Sequence, residues 1–446
     1  MRKERRKSPF FRLNIRKKKF EKEAMLTKEK YLQFVEILKE ELVPAMGCTE
    51  PISIAYAVAK ARATLGEKPV CGKLEVSGNI VKNAKSVTVP HTGGLRGIDS
   101  AFAAGLVAGN AEAELEVLSS VTSEQIEEIK RVRSAFPLKM ETPETARIFD
   151  IAVTLESETQ TAYVRIADAH TNVVKVCLNG KTLFEKPLQA APQKTDRSVL
   201  NVEDIIAFAN EVDVENVRET LERQIEYNMA IAEEGLKGEY GANVGKVLLR
   251  AYQPDIKITA KAYAAAASDA RMNGCELPVI INSGSGNQGI TASVPVVVYA
   301  RGLHISKEKL LRALCVSNLI TVHLKSGIGT LSAYCGVVSA GAGAACGVAY
   351  LLGGGKAEIT HTLVNALAID SGIICDGAKA SCAAKIATAV ESGLLGLNMY
   401  YNGSQFYAGD GIVKKGVENT IKSVSRLAYK GMKETDKEII RIMLDE

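Results

Sequence analysis

The chain has 446 residues, 46% hydrophobic and 24% charged, an ordinary globular composition with length for two or three packed units. Its net charge of +5 is concentrated at one end: residues 1–24 hold 11 Lys and Arg against 3 Glu, leaving the remainder at −3, which argues against a nucleic-acid binder. Low aromatic content (5%, no Trp) beside 37 Gly predicts a core of small, closely approaching segments.

The opening, MRKERRKSPFFRLNIRKKKFEKEA, lacks the apolar stretch of a secretory signal. It reads as a disordered basic extension, with Met25 as an alternative start. Residues 26–46 then place Tyr31, Phe34, Val35, Leu38 and Leu42 at the period of an amphipathic helix. A second helix is predicted from Pro51 to Leu65, closed by Gly66. Residues 25–69 are expected to pack, as these two helices, with a helical C-terminal part.

A different texture follows. KLEVSG, AKSVTVP, RIFDIAVTLES, TAYVRIADA, NVVKVCLNG and KTLFEKP are short, β-branched and bounded by turn residues, and Asn179-Gly180 marks a hairpin. Helices are predicted between them at 101–118 and 123–133, so residues 70–197 read as an inserted α+β unit. Residues 198–446 are helical again, charged and amphipathic through Glu234, then apolar and rich in Gly and Ala beyond Ala251. The expected fold class is α+β: a large, mainly helical domain with Gly/Ala-rich buried helices, plus a smaller inserted α+β domain. The 30-residue charge-free run 326–355 is dominated by Gly, Ala and Ser, which favours a buried helix or helix pair over a membrane span.

Nine cysteines are widely spaced, with no CxxC pair, which points to free or metal-bound thiols in a reducing cytoplasm rather than to disulfides or a zinc ribbon. The first is Cys48, in MGCTEP. Pro51 is placed as in a first helical turn, so Cys48 falls at or just before the N-cap, where orphan amides and the helix dipole favour a thiolate. That thiolate suits a nucleophile, a base or a metal ligand; a small buried residue in a tight helix junction is the structural alternative.

The second motif is LPVIINSGSGNQG. Gly284, Gly286 and Gly289 satisfy GxGxxG, but SKEKLLRALCVSN beyond it reads as a helix where a dinucleotide fold needs a strand. A loop whose amides and side chains Ser283, Ser285, Asn287 and Gln288 cradle a carboxylate fits better, with a tight turn between buried segments as the plainer reading. The third is the set Cys335, Cys375 and Cys382, in LSAYCGVV and IICDGAKASC. Cys375 and Cys382 are spaced as two helical turns, with Gly372 and Gly377 free to curl the backbone around a bulky group. Three thiolates would leave one iron of a cubane cluster without a protein sulfur; on spacing alone, core cysteines are the stronger reading. Packing is the default for Cys71, Cys177, Cys275, Cys315 and Cys346. His91, in a Gly-rich loop, is read as structural, and His304, His323 and His361 show no metal-ligand spacing.

Together, ELVPAMGCTEPISIAYA, NSGSGNQGITASVPV and ICDGAKASCAAKIATAV resemble the L-cysteine desulfidase family, a relative of the iron–sulfur L-serine dehydratases, with coverage from about Met25 to about Gly396. The resemblance implies an oxygen-sensitive 4Fe–4S lyase, independent of pyridoxal phosphate, that degrades L-cysteine to pyruvate, ammonia and sulfide. It assigns Cys48 as catalytic base and Cys335, Cys375 and Cys382 as cluster ligands, which makes residues 198–446 the cluster domain. Some serine dehydratases end in a cysteine that reaches the cluster, whereas this sequence ends Met443-Leu444-Asp445-Glu446. The expected partner is a small amino acid, L-cysteine, with no membrane and no nucleic acid; a homo-oligomer is left open. L-Serine dehydration by the same logic is the nearest alternative, and a non-catalytic iron–sulfur sensor is the alternative of another class.

Overall fold

The computed structural model describes residues 26–46, 49–143, 147–188, 194–329 and 332–444. Among the described residues the strands are β1 (Pro44–Met46), β2 (Cys71–Val76), β3 (Leu138–Glu141), β4 (Asp150–Glu156), β5 (Thr161–Ala167), β6 (Val173–Leu178), β7 (Lys181–Glu185) and β8 (Pro278–Ile280). Six form one mixed sheet in the order β3-β2-β4-β5-β6-β7, with β2 and β3 parallel and every other pair antiparallel. β1 and β8 pair alone, Pro44 opposite Ile280 and Met46 opposite Pro278. The class is α+β with a large helical part, as expected.

Two apolar cores account for this arrangement. The larger is helical. It joins the Lys28–Glu41 helix, through Phe34, Ile37 and Leu38, to a body whose innermost helices are Ile256–Met272, Gly286–Gly302, Lys307–Ile328, Gly336–Leu351 and Cys382–Tyr401. Small residues set the spacing, since a Cβ on Gly341 would come 2.5 Å from the Ala389 carbonyl of the facing helix. Close approach of this kind replaces bulk as the source of packing density. The charge-free run contributes the 16-residue Gly336–Leu351 helix, and among the described residues no helix is long and apolar enough to cross a membrane.

The smaller core lies between the sheet and the helices Thr49–Leu65, Gly78–Ala84 and Ile98–Ala108. The second N-terminal helix therefore departs from expectation: it lies on β4 and β5 instead of packing with the helical body. Its Ala55, Ala57, Ala59 and Ala61 are fully buried, and the Ala55 carbonyl nests against Gly105 of the Ile98–Ala108 helix, so the helix is wrapped on nearly every side. It begins at Thr49, two residues before Pro51.

Other local differences have local causes. AKSVTVP is not a strand, because the Gly78–Ala84 helix occupies its start and only Thr88 makes an isolated bridge, to Arg96. The 101–118 prediction resolves into the Ile98–Ala108 helix and a 3-10 turn at Glu114–Glu116. The Lys433–Leu444 helix leaves the helical body and packs Met443 and Leu444 on the smaller core.

Candidate functional site

Backbone pairing brings two of the three cysteines together. The Cys335 amide donates to the Ile373 carbonyl at 3.0 Å, the Cys375 amide donates to the Ala333 carbonyl at 2.6 Å, and Tyr334 bridges Ile374 antiparallel. Cys335 is also the N-cap of the Gly336–Leu351 helix, and Cys382 is the first residue of the Cys382–Tyr401 helix. Two thiols thus sit at positive helix ends. The segment from Cys375 to Cys382 is a loop, not the two helical turns expected from spacing. It wraps over the Gly78–Ala84 helix, where the Ala378 amide donates to the Lys82 carbonyl at 2.9 Å. Gly377 has φ +90°, and any Cβ there would collide with that carbonyl, so the curl falls at Gly377; around Gly372 there is open space.

The thiols of Cys335 and Cys375 hydrogen-bond each other. That bond holds Cys375 well below the ordinary thiol range, with Lys82, the Gly377 amide and Lys325 adding to it against burial. Cys335, as donor, is pushed up. Burial raises Cys382, whose thiol donates to the Gly377 carbonyl at 3.5 Å. Lysines wall the group. Lys82, only 5% exposed, pairs with Asp436 at 2.6 Å, while Lys379 and Lys385 share Asp376. Lys325 donates to the Gly329 carbonyl at 2.7 Å, and burial lowers its pKa.

Among the described residues no three His, Cys, Asp or Glu side chains close on a single ion. Three soft thiols, electrostatically linked and walled by cations, are instead a donor set suited to a larger iron–sulfur group that carries negative charge. The other described cysteines pack as expected: Cys177, Cys275, Cys315 and Cys346 are buried, and Cys71 contacts Glu156 on the sheet.

The polar loop after β8 is a tight turn with two faces. Asn282 and Ser285 exchange backbone hydrogen bonds at 3.1 Å, and Ser283 and Gly284 between them both have positive φ. Ser285 is the N-cap of the Gly286–Gly302 helix, and among the described residues its side chain makes no capping hydrogen bond. Asn287 and Gln288, in the first turn, face the thiols. The Gln288 amide lies on Gly336, next to Cys335; Asn287 contacts Met272, which forms with Val87 the small cluster that Cys382 packs against, and accepts from Arg271 at 3.4 Å. Ser283 and Gly284 face the other way, into a cavity of about 220 Å³ lined also by Glu41, Arg197, Val322 and Lys325. Fully buried amides fix the turn: Asn318 exchanges two hydrogen bonds with Gln224 and accepts a third from Asn282.

Cys48 lies outside the described residues. Its neighbour Thr49 shares a 2.7 Å hydrogen bond with His170, from the turn between β5 and β6, whose pKa burial lowers against the pull of Glu50. His170, Lys82, Lys325 and Arg271 escape the sequence reading because each arrives from a distant segment with no local spacing to mark it. His91 is exposed and pairs with Glu276; His323 pairs with Glu418, and His361 stacks on Tyr400.

The model of the serine dehydratase alpha chain family matches residues 112–441, a span that holds both the polar turn and all three cysteines. This chain belongs to that family. Similar proteins agree in length as well as sequence. A UPF0597 protein of Desulfitobacterium hafniense is 57% identical over 418 residues, which cover 93% of this chain and 97% of the relative. One from Treponema denticola is 47% identical over 429 residues, 94% of this chain and 100% of the relative. One from Shewanella oneidensis is 40% identical over 428 residues, 93% and 99%. Membership in the serine dehydratase family implies a lyase that works with an iron–sulfur group on an amino-acid substrate.

Proposed function

We propose that this serine dehydratase-type lyase carries a 4Fe–4S cluster on Cys335, Cys375 and Cys382 and degrades L-cysteine to pyruvate, ammonia and hydrogen sulfide in the cytoplasm. The observation that carries the reading is the hydrogen-bonded thiol pair of Cys335 and Cys375, with Cys382 in electrostatic reach, two of the three at helix starts, among lysines and beside a polar turn. When bound, the cluster supplies an iron without a protein sulfur, a Lewis acid for the departing β-substituent.

The chain's own residues supply the rest. Removing the weakly acidic α-proton while the β-substituent leaves needs a base in register with the electrophile. Cys48, one residue before the Thr49–Leu65 helix, is the proposed base, and His170 positions that helix start through Thr49. Lys82 and Lys325 favour the ionised form of Cys375 that metal ligation requires. Ser285, Asn287 and Gln288 are proposed to hold the α-carboxylate and orient the substrate, whereas Ser283, expected from sequence to join them, faces the opposite cavity and donates its hydroxyl to Asn282 at 2.8 Å. The resulting aminoacrylate tautomerises to an imine and hydrolyses to pyruvate and ammonia.

A second reading, L-serine as substrate with hydroxide leaving, is favoured by the description of the matched family. Anaerobic reconstitution with iron and sulfide, a visible spectrum, and assays of pyruvate and sulfide from L-cysteine and of pyruvate from L-serine decide between them. A broad cluster absorption with sulfide release supports the first reading, and preference for L-serine moves the chain to the second. Neither absorption nor pyruvate would return the three cysteines to a packing role.

A further inference from the structure

Cys335 and Cys375 each stand one residue beyond the bridged pair Tyr334 and Ile374, so their side chains leave the same face of this short antiparallel ladder. The ladder bonds on either side, from the Cys335 amide to Ile373 and from the Cys375 amide to Ala333, fix both backbones, and the two thiols meet in a hydrogen bond. Cys382 has other company. Its thiol donates to the Gly377 carbonyl at 3.5 Å, and its side chain packs on Val87 and Met272. Three thiols of the same chemistry are thus sorted by contact into a touching pair and a separate third.

Two thiols held within hydrogen-bond reach by backbone pairing have a further reaction open to them, the S–S bond. Small solutes reach one of the two more easily: Cys335 is 6% exposed, whereas Cys375 is only partly buried. We propose that Cys335 and Cys375 close into a reversible disulfide when no cluster is bound, with hydrogen peroxide as the oxidant, and that Cys382 stays a free thiol. The more open Cys375 reacts first: its sulfur attacks one peroxide oxygen, the O–O bond breaks, and a sulfenic acid forms as water leaves. The Cys335 sulfur then attacks the Cys375 sulfur, the S–O bond breaks, and the departing hydroxyl takes the Cys335 proton as a second water. Two thiols and one peroxide give one disulfide and two waters, and a dithiol reverses the bond by exchange. The closed pair withholds two of the three proposed ligands from iron, yet keeps both sulfurs from the irreversible sulfinic acid. The bond itself is independent of the lyase reading; only its effect on iron uptake rests on it.

The test is thiol mapping by mass spectrometry on the iron-free full chain, reduced with dithiothreitol, treated with stoichiometric hydrogen peroxide, then denatured and alkylated with iodoacetamide. The expected result is a pair of peptides joined through Cys335 and Cys375, separated again by dithiothreitol, with Cys382 alkylated. Iron uptake, followed by absorbance on reconstitution, should be lost in the oxidised chain and restored by dithiothreitol. Cys335→Ser should abolish the bond and leave Cys375 as a sulfenic acid that dimedone traps. Cys382→Ser should keep the bond, which separates loss of the pair from general damage to the fold. A disulfide from Cys382 to either partner, sulfinic acid at Cys375 of the unsubstituted chain without a disulfide, or equal cross-linking in urea-unfolded chain would overturn the proposal. If the bond forms but the reduced chain takes up no iron, the disulfide stands and the cluster reading falls.

Discussion

Gln288 lies directly on Gly336, so that a Cβ at Gly336 would come 2.5 Å from the amide carbon of Gln288. The contact joins the first turn of one helix to the residue that follows Cys335, and so sets the distance between the polar turn and the thiols. Gly336→Ala should push the Gln288 side chain aside, with little change in iron content. A displacement of that order beside reacting groups costs on the order of 10- to 100-fold in kcat/KM. Steady-state kinetics beside an iron determination checks both halves.

Asn318 is the hub of the amide network that holds the turn. Asn318→Leu would leave the buried Gln224 and Asn282 side chains short of partners, at a cost of about 2–3 kcal/mol. Urea or guanidinium denaturation should show the midpoint fall without a change in slope. A cost under about 0.5 kcal/mol would mean that the turn is held elsewhere.

The Lys82–Asp436 pair is nearly out of water, its side chains 5% and 17% exposed. Lys82→Met leaves Asp436 facing an apolar group and should destabilise by about 3 kcal/mol. Adding Asp436→Leu should recover much of that loss, because a well-packed apolar pair can match a buried ion pair. Equal stabilities for the single and double variants would refute the pairing.

Stability should depend on pH through His170. Burial lowers its pKa below the ordinary 6.5, so the unfolded chain binds a proton more readily than the native one. Its contribution is therefore fully present above pH 6.5 and is lost as pH falls from there through the native value. Denaturation midpoints measured at pH 7.5, 6.5 and 5.5 should decline in that order, and His170→Gln should flatten the part of the decline that this group causes.

What the sequence disclosed was local. Asn179-Gly180 announced the β6–β7 hairpin because only a turn with two positive φ angles wants that pair, and both are positive, at 51° and 75°. The first helix showed in the period of Phe34, Val35, Leu38 and Leu42. AKSVTVP misled because Val87 and Val89 alternate and are fully buried, yet they do so in a loop, and β-propensity reports a half-buried surface more than a ladder. β3, four residues paired parallel to β2, left no such trace. At the site, the cysteines and the polar turn stood out by type and neighbours. The lysines did not: Lys82 and Lys325 matter through partners on other elements, and nothing in their flanking residues says which thiol they approach.

The salt bridge between Lys82 and Asp436 spans 354 positions of sequence. One wall beside the thiols is thus a joint between the Gly78–Ala84 helix of the smaller core and the Lys433–Leu444 helix. The two cores are tied together at the cysteines, so a change in either helix reaches the thiols from a segment remote in sequence.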